Sequence, residues 1–309
     1  MHGVGISRPA FLDGSGLTRP GPIDVGAQVS CALAEDIGSG DVTAGLVPAG
    51  QNVRGRIITR EDAVLCGSAW ADETFRRLDP AVRLSWQAKD GDWVKSGALL
   101  VEVEGEARAV LSAERTALNF LQTLSGTATS VRRYVSAVAG TGCTILDTRK
   151  TLPGLRSAQK YAVRCGGGAN HRAGLFDMYL IKENHIAAAG SLATAVGAAR
   201  QHVPQLAIEV EVESLAEFEE ALAAHPDIIM LDDFAAADLV AAVARNRAHG
   251  RAIKLEASGG ISLENVLRIA QTGVDYISIG ALTKHLRAID LSLRLDFGSP
   301  APASGNCGL

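Results

Sequence analysis

The residues that could do chemistry are concentrated between Thr144 and His185, a cation-rich stretch in a chain whose formal net charge is −4. Its basic side chains are Arg149, Lys150, Arg156, Lys160, Arg164, His171, Arg172 and Lys182. A basic segment inside an acidic protein creates a local positive field. Arginine can also hold a carboxylate or a phosphate through two parallel hydrogen bonds. The stretch therefore predicts a site for a small substrate with more than one negative charge.

The elements that position this stretch are short strands and helices that alternate from Cys143 onward. The strand-like runs are CTILDT, DMYLIK, AIEVEVES, DIIMLDD, IKLEASGG and DYISIGA. Between them lie Ala-rich helical segments such as SLATAVGAARQH, SLAEFEEALAAH, AADLVAAVARNRAHG and SLENVLRIAQTG. This repetition predicts a parallel sheet covered by helices, and the strand count favours a closed or nearly closed α/β barrel. An open doubly wound sheet is the alternative, but GGGAN at 166–170 lacks the GxGxxG spacing.

In a parallel barrel, catalytic groups gather at the carboxyl ends of the strands. The charged or glycine-rich strand ends are Asp147–Lys150, Lys182–His185, Glu209–Glu213, Asp232 and Asp233, Glu256–Gly260, and Ser278–Gly280. Cations come first along the chain and carboxylates come later. This order predicts a rim that holds an anion on one side and a ribose or a metal on the other.

Three glutamates of one strand share a face in this prediction. The alternation in EVEVE places Glu209, Glu211 and Glu213 on one side and valines on the other. A buried carboxylate is costly without a partner, so Lys150 and Lys182 are candidate partners. These groups could form structural ion pairs, but the coincidence of several charged strand ends favours a functional site.

Two glycine-rich loops, ASGGI and SIGAL, follow consecutive late strands. Such loops in barrels often bind a phosphate through backbone N–H groups, so a phosphate site is predicted here. His171 could act as a general base. No serine or cysteine with a supporting acid is arranged around it, so orientation of a substrate carboxylate is favoured.

The rest of the chain predicts structural parts. Residues 1–24 and 298–309 are rich in Gly, Pro and Ser and are predicted to be flexible tails. Residues 25–139 form an N-terminal domain with short strands and a long helix, and residues 140–297 form the barrel domain. The segment at about 285–297 could pack back on the first domain. The loop with Asp36 and Asp41 lacks calcium-loop spacing, so a capped turn is favoured.

Composition excludes several classes of protein. No apolar run reaches the ~20 residues of a membrane helix, and the N-terminus lacks the pattern of a signal peptide. The five cysteines form no CxxC motif, which favours thiols in a reducing cytoplasm. A pI near 6.0 argues against a general nucleic-acid surface.

Several runs together resemble the quinolinate phosphoribosyltransferase family, also called nicotinate-nucleotide pyrophosphorylase (carboxylating). They are ERTALNFLQTLSGTAT, ILDTRKTLPGLR, KYAVRCGGGANHRAGLFDMYLIKENH, EVEVES, IMLDDF, LEASGGI and DYISIGALT. The resemblance covers roughly residues 30–290, and the DTRKT and GGGxNHR…KENH motifs are highly specific to the family. The candidate functional positions show no departure from its pattern.

The resemblance implies a fold and a reaction. The fold is an N-terminal α/β sandwich of hammerhead type plus the incomplete α/β barrel of a type II phosphoribosyltransferase. The reaction converts quinolinate and phosphoribosyl pyrophosphate into nicotinate mononucleotide, pyrophosphate and CO2, with Mg2+, in de novo NAD synthesis. The family also implies a cytoplasmic homodimer that binds neither nucleic acid nor membrane.

The resemblance also implies residue roles. Quinolinate would be bound by Arg149, His171, Arg172 and Lys182, with Arg115 reaching in from the neighbouring subunit. The catalytic residues would be Lys150, Glu211 and Asp232, around the ribose and pyrophosphate. Glu211 and Asp232 would hold Mg2+ directly or through water or substrate. The phosphoribosyl group would be held by Lys150, Ser258, Gly259, Gly260, Ser278, Gly280 and Ala281.

Two alternatives stay open from the sequence. A related transferase could use another base, such as nicotinate, but a monocarboxylate needs fewer cations than this stretch supplies. An anion-binding or regulatory barrel without catalysis is the second alternative. The carboxylates of Glu211 and Asp232 argue against it, because a pure anion binder would exclude negative charge from its pocket.

Overall fold

The computed structural model describes residues 24–250 and 253–297, which form two compact units. The N-terminal unit contains residues 24–126 together with 287–297, and the barrel unit contains residues 127–286. The predicted tails lie outside the described residues except for Asp24, whose side chain caps the first helix. None of the helices in these ranges is long and apolar enough to cross a membrane.

The described chain alternates between helices and short strands. The helices are α1 (Val25–Ile37), α2 (Ser68–Leu78), α3 (Ala107–Ala137), α4 (Arg156–Cys165), α5 (Glu183–Ala189), α6 (Leu192–His202), α7 (Leu215–Ala224), α8 (Ala236–Ala248), α9 (Val266–Ala270) and α10 (Ala281–Lys284), with a 3-10 helix at Ala44–Leu46. The strands are β1 (Asn52–Thr59), β2 (Ala63–Val64), β3 (Arg83–Trp86), β4 (Trp93–Val94), β5 (Leu99–Glu106), β6 (Thr144–Leu146), β7 (Tyr179–Ile181), β8 (Ile208–Val212), β9 (Ile228–Asp232), β10 (Lys254–Ser258), β11 (Tyr276–Ser278) and β12 (Leu291–Asp296).

The N-terminal unit is built on an antiparallel sheet with strand order β12-β1-β5-β3, beside the small pair β2-β4. Side chains of β1 alternate between exposed and buried, as expected for a sheet with one covered face. Its inner residues Val53 and Ile57 pack with Phe75 of α2 in one core. Strand β12 pairs with β1, so the C-terminal segment completes this sheet. Asp41 accepts hydrogen bonds from the N–H groups of Thr43 and Ala44, which is the capped turn.

The barrel unit is built on six parallel strands in the order β6-β11-β10-β9-β8-β7. The last strand pairs with the first, because Tyr276 of β11 lies opposite Thr144 of β6. An open doubly wound sheet would not bring these strands together, so the barrel prediction is confirmed. The ring is incomplete because, within the described chain, β6 and β7 are the two edges of the sheet.

Helices α6, α7 and α8 cover this sheet with apolar faces that include Val196, Phe218 and Leu239. Two of them have a serine as N-cap. Ser191 accepts a hydrogen bond from the N–H of Thr194, and Ser214 caps α7 in the same way. These caps fix where each helix begins after its loop.

The division between the units differs from the predicted domain boundary at 139/140. Helix α3 is continuous from Ala107 to Ala137. Its residues Leu118 and Leu121 belong to the core of the N-terminal unit, whereas Val131 belongs to the core of the barrel unit. Because one helix contributes to both cores, the division falls inside it, between Gly126 and Thr127.

Candidate active site

The carboxyl ends of the barrel strands bring most of the predicted site residues to one end of the sheet. A cavity of about 630 Å³ follows β7 and α6 up to this end, and its charged lining is Arg149 after β6, Arg172 before β7 and Lys182 after β7. The remaining walls are mostly apolar and include Met178 and Ala199. Three cations in a largely apolar cavity suit a flat anion, because the walls can contact its faces while the cations bind its charges.

The cations of this cavity are partly withdrawn from solvent. The buried Nε of Arg149 has no hydrogen-bond partner in the part of the chain that the structure describes. Burial lowers the pKa of Arg172, and the charge of Arg149 lowers it further, although carboxylates nearby oppose both effects. Two arginines that repel each other are stabilised when an anion enters, so the arrangement favours a negatively charged ligand.

Lys182 joins the cationic cavity to the carboxylates. Its Nζ lies 2.5 Å from Oε2 of Glu211 on the next strand, as the sequence predicted. Its backbone N–H donates to Nδ1 of His185, which closes the first turn of α5. His185 therefore has a structural role, and it holds the backbone from which the lysine extends.

Three carboxylates lie together at the ends of β8 and β9. Glu211, Glu213 and Asp232 each offer an oxygen within 4.8 Å of the others. Glu211 and Asp232 are half-buried, whereas Glu213 is exposed. Hard oxygen ligands of this kind are those that Mg2+ prefers, so these residues could hold the predicted metal ion, and the sequence analysis had not included Glu213 among its ligands.

The predicted phosphate loop after β10 is held against the end of β9. Gly259 has a φ of +88°, and a Cβ there would lie 2.7 Å from the backbone nitrogen of Asp233. Asp233 itself has a φ of +58°, which is unusual for a residue other than glycine, and it donates its N–H to the carbonyl of Ser258. Glycine at 259 is therefore required by the neighbouring backbone, and Gly260 beside it is exposed.

Lys150 and Gly280 meet at the first and last strands of the barrel. A Cβ on Gly280 would lie 2.8 Å from Cδ of Lys150, so the lysine stem crosses this glycine. Thr283 donates a hydrogen bond to the carbonyl of Lys150 and Thr148 accepts one from its N–H, which fixes the backbone. The expected ion pair of Lys150 with a glutamate of β8 does not occur in the described ranges. Of the other predicted phosphate residues, Ser278 is buried and Ala281 begins α10.

His171 lies in the barrel interior and does not line the cavity. It is 6% exposed. Its Nδ1 accepts a hydrogen bond from the N–H of Arg172, and its Nε2 lies 2.8 Å from Oε2 of Glu209. Glu209 is fully buried, and burial, together with the nearby Glu256 carboxylate, raises the pKa of Glu209 to about 7. The contact of His171 with a substrate carboxylate stays a prediction.

A buried ion pair that the sequence analysis missed supports the segment before Arg172. Lys160 of α4 places its Nζ 2.5 Å from Oδ1 of Asp147 and 3.1 Å from the carbonyl of His171. Asp147 also accepts hydrogen bonds from the N–H of His171 and from Nδ2 of Asn170. Local periodicity gave no signal for it, because Ala158 and Ala162 are each two residues from Lys160 and so lie on a different side of the helix.

The other basic residues of the stretch do not join the cavity. Arg156 donates to Thr151 and to backbone carbonyls, and Arg164 stacks over the ring of Tyr161. Arg115 is exposed on α3 in the N-terminal unit, so its predicted role stays a prediction. The basic residues of the stretch thus fall into two groups, those that line the cavity and those with structural roles.

Known proteins match both units. Residues 127–294 match the family "Quinolinate phosphoribosyl transferase, C-terminal domain", and residues 41–125 match the corresponding N-terminal domain. The nicotinate-nucleotide pyrophosphorylase [carboxylating] of Mycobacterium leprae is 47% identical over 270 residues, covering 85% of this chain and 94% of that protein. The probable enzyme of that name from Bacillus subtilis is 44% identical over 260 residues, covering 84% and 89%.

A solved structure gives the same result for the fold. The nicotinate-nucleotide pyrophosphorylase of Francisella tularensis superposes with a TM-score of 0.86 at 45% identity, over 91% of this chain and 100% of that one. The matches to both domain models and the agreement in fold with a solved structure have one explanation. The chain belongs to the quinolinate phosphoribosyltransferase family.

Proposed function

We propose that this chain transfers the phosphoribosyl group of phosphoribosyl pyrophosphate to quinolinate with decarboxylation. The products are nicotinate mononucleotide, pyrophosphate and CO2, which makes the reaction a step of de novo NAD synthesis. The observation that carries the proposal is the cavity lined by Arg149, Arg172 and Lys182, beside carboxylates at the same strand edge. The family relatives bearing this activity in their names support it.

Quinolinate fits the cationic cavity by charge and shape. Its two adjacent carboxylates would pair with Arg149 and Arg172, each of which can offer parallel N–H donors. Lys182 would contribute a third positive charge while its pairing with Glu211 holds it in place. The apolar walls would contact the faces of the pyridine ring. Binding would therefore fix the ring nitrogen toward the carboxylates of β8 and β9.

Phosphoribosyl pyrophosphate would occupy the rest of the rim. Lys150, held by Thr283 beside Gly280, would contact its phosphates, and Ser258 with Gly259 and Gly260 would face its 5′-phosphate. Glu211, Glu213 and Asp232 have the oxygen donors and the closeness that a bound Mg2+ needs. Bound there, Mg2+ would supply positive charge to the pyrophosphate leaving group.

The reaction would then proceed in two stages. The pyridine nitrogen forms a bond to the anomeric carbon as the bond from that carbon to pyrophosphate breaks, and carboxylates near the ribose stabilise its developing positive charge. The alkylated ring is a pyridinium, so the electron pair left when the 2-carboxylate departs as CO2 is stabilised by the adjacent positive nitrogen. That carbon finally takes a proton. The protein contributes position and preorganised charge.

A homodimer in a cytoplasmic setting belongs to the same proposal. Arg115 is exposed on α3, where it would be available to the barrel of a second subunit. A reducing compartment would keep Cys31 and Cys143 as thiols.

An assay of purified protein with Mg2+, phosphoribosyl pyrophosphate and either quinolinate or nicotinate tests the proposal. Nicotinate mononucleotide and CO2 should form from quinolinate alone. Arg172→Ala and Lys182→Ala should keep the fold by circular dichroism but lose quinolinate binding. Arg245→Ala, which removes an exposed partner of Glu219 on the outer helices, is the matched control. Product from nicotinate alone would move the chain to the non-decarboxylating transferases, and product from neither would refute a transferase.

A further inference from the structure

Two glutamates lie inside the barrel unit, where carboxylates are rarely found. Glu209 on β8 and Glu256 on β10 are each 0% exposed, and neither lines the cavity. Strand β9 lies between their strands, and side chains of alternate strands in a barrel point into the same interior layer. His171 enters that layer from the segment after β6. The layer is therefore polar and carries charge beneath the proposed substrate site.

The ring of His171 has one arrangement that satisfies its neighbours. Its Nδ1 lies 2.8 Å from the backbone nitrogen of Arg172, which can only donate, so Nδ1 accepts. The ring proton therefore lies on Nε2, which is 2.8 Å from Oε2 of Glu209 and 3.4 Å from Oε2 of Glu256. The N–H of Arg172 thus fixes the tautomer of the ring, and the two carboxylates lie at ion-pair distance from its protonated nitrogen.

A metal ion bound by these three side chains does not fit this arrangement. A histidine that ligates a metal through Nε2 has no proton there and donates from its other nitrogen. Here the other nitrogen accepts from Arg172, so Nε2 must keep its proton. The carboxylates consequently face the Nε2–H of the ring as negatively charged neighbours.

The backbone of the same segment is held from other elements. Asp147 accepts the N–H of His171 at 2.9 Å, and the ammonium of Lys160 donates to the carbonyl of His171 at 3.1 Å. With its backbone fixed on both sides and its ring fixed at both nitrogens, His171 has little freedom to move. The N–H of Arg172 donates to that ring, so the backbone of Arg172 is held in place as well.

We propose that Glu209 and Glu256 are positioning residues for the reaction. Through the ring of His171 they hold the backbone of Arg172, and so direct its guanidinium into the substrate cavity. The inference rests on the proposed function, in which Arg172 binds a carboxylate of quinolinate. It predicts that the buried glutamates act on the affinity for the dicarboxylate, although they do not touch it.

Kinetics of Glu209→Ala and Glu209→Gln test the proposal. Alanine removes the acceptor of the Nε2–H, so the KM for quinolinate should rise about tenfold, equivalent to roughly 1.4 kcal/mol. Glutamine keeps an oxygen at the same position and should restore the KM to within about twofold of the wild-type value. The KM for phosphoribosyl pyrophosphate should change much less in either variant, because both substitutions leave Glu211 and the other residues proposed to bind this substrate in place.

Asn246→Ala is the matched control for a general loss of stability in the barrel unit. Asn246 is buried near the amino end of β10, where its Nδ2 donates to the carbonyl of Ile253. This variant should lose a buried hydrogen bond in the same unit without changing the KM for quinolinate. Equal KM values for all variants, or equal rises for both substrates in the alanine and glutamine variants, would overturn the proposal.

Long-range 1H–15N NMR of histidine-labelled wild-type protein tests the ring without any substitution. Burial lowers the pKa of His171, and the charges of Glu209 and Glu256 more than offset this and raise it well above its usual value, but a second proton on Nδ1 would meet the N–H of Arg172. The signal of His171, assigned by its loss in His171→Gln, should therefore show a proton on Nε2 and none on Nδ1 at about pH 7. A doubly protonated ring or one with its proton on Nδ1 would overturn the proposal. Failure of the proposed function is a different result, namely wild-type protein that does not turn over quinolinate.

Discussion

Replacing Lys160 with methionine should destabilise the barrel unit by about 3 kcal/mol at pH 7, because it breaks a buried ion pair. The side chains of Lys160 and Asp147 are 5% and 0% exposed, and their charged atoms lie 2.5 Å apart. Removal of one partner from such a pair costs roughly 3–5 kcal/mol, since the other charge stays buried. Methionine fills most of the same space, so loss of packing adds little.

The lower end of that range applies because Asp147 keeps other donors. It still accepts the N–H of His171 at 2.9 Å and Nδ2 of Asn170 at 2.7 Å in the variant. The substitution also removes the hydrogen bond from Lys160 to the carbonyl of His171, a loss of about 1 kcal/mol. Adding Asp147→Asn to Lys160→Met removes the isolated charge, so the double variant should be more stable than Lys160→Met alone.

The pH dependence identifies the cause. Burial raises the pKa of Asp147, and the positive charge of Lys160 opposes that rise. Without Lys160 the folded-state pKa of Asp147 is still higher and lies further above its unfolded value. A carboxyl with a raised pKa binds its proton more tightly in the folded state, so the variant gains stability relative to wild type as pH falls. The deficit at about pH 5 should therefore be smaller than at about pH 7.

The assay must observe the barrel unit separately. All three tryptophans, Trp70, Trp86 and Trp93, lie in the N-terminal unit, so their fluorescence reports on that unit alone. Hydrogen exchange in urea, read by mass spectrometry on peptides that contain β6 and residues 170–172, reports on the barrel. A loss below about 1 kcal/mol at pH 7, or a deficit that grows as pH falls, would refute an ionised Asp147 paired with Lys160.

Three further outcomes are expected. Cys143 should react with iodoacetamide at pH 8 far more slowly than exposed Cys31. Burial raises the pKa of the Cys143 thiol from 9.0 to about 12, which leaves about a thousandfold less thiolate. Peptide mass mapping at timed intervals measures both rates, and equal rates would contradict the burial of Cys143. Asp233→Val should cost roughly 1–2 kcal/mol in urea unfolding followed by circular dichroism, whereas Asp233→Gly should cost much less, since the backbone there has a positive φ. Glu213→Gln should weaken Mg2+ binding in calorimetry, whereas Glu219→Gln on the exposed face of α7 should not change it.

The strands and helices of the barrel could be predicted because each depends on local pattern. All six strand-like runs form β6 to β11, and three of the helical segments correspond to α6, α7 and α8. The fourth segment, SLENVLRIAQTG, is helical only at Val266–Ala270, where its buried residues lie. Periodicity indicates which face an element buries. It does not show that a single helix serves two cores, as α3 does.

The interior partners of the site could not be predicted, because they depend on contacts between distant strands. The sequence predicts ion pairs of Lys150 and Lys182 with the glutamates of β8. Within the described residues, Glu209 instead faces His171, and Glu211 is the glutamate of this strand that pairs with a lysine. The alternation in β8 correctly places Glu209 and Glu211 on one face. Which residue contacts each glutamate depends on how deep that glutamate lies in the barrel, and the sequence of one strand does not show this depth.

The missing part of the ring explains why the anion site reaches so far into the barrel. Strand β6 lacks a strand partner on one side, and there Leu146 pairs in parallel with Ala169 alone. The segment after Ala169 therefore enters the barrel where a further strand would stand, and it delivers His171 to the interior and Arg172 to the cavity. A complete ring would pair β6 with β7 and leave no place for this segment. The incompleteness of the barrel is thus the structural basis of the proposed action of Glu209 and Glu256 on Arg172.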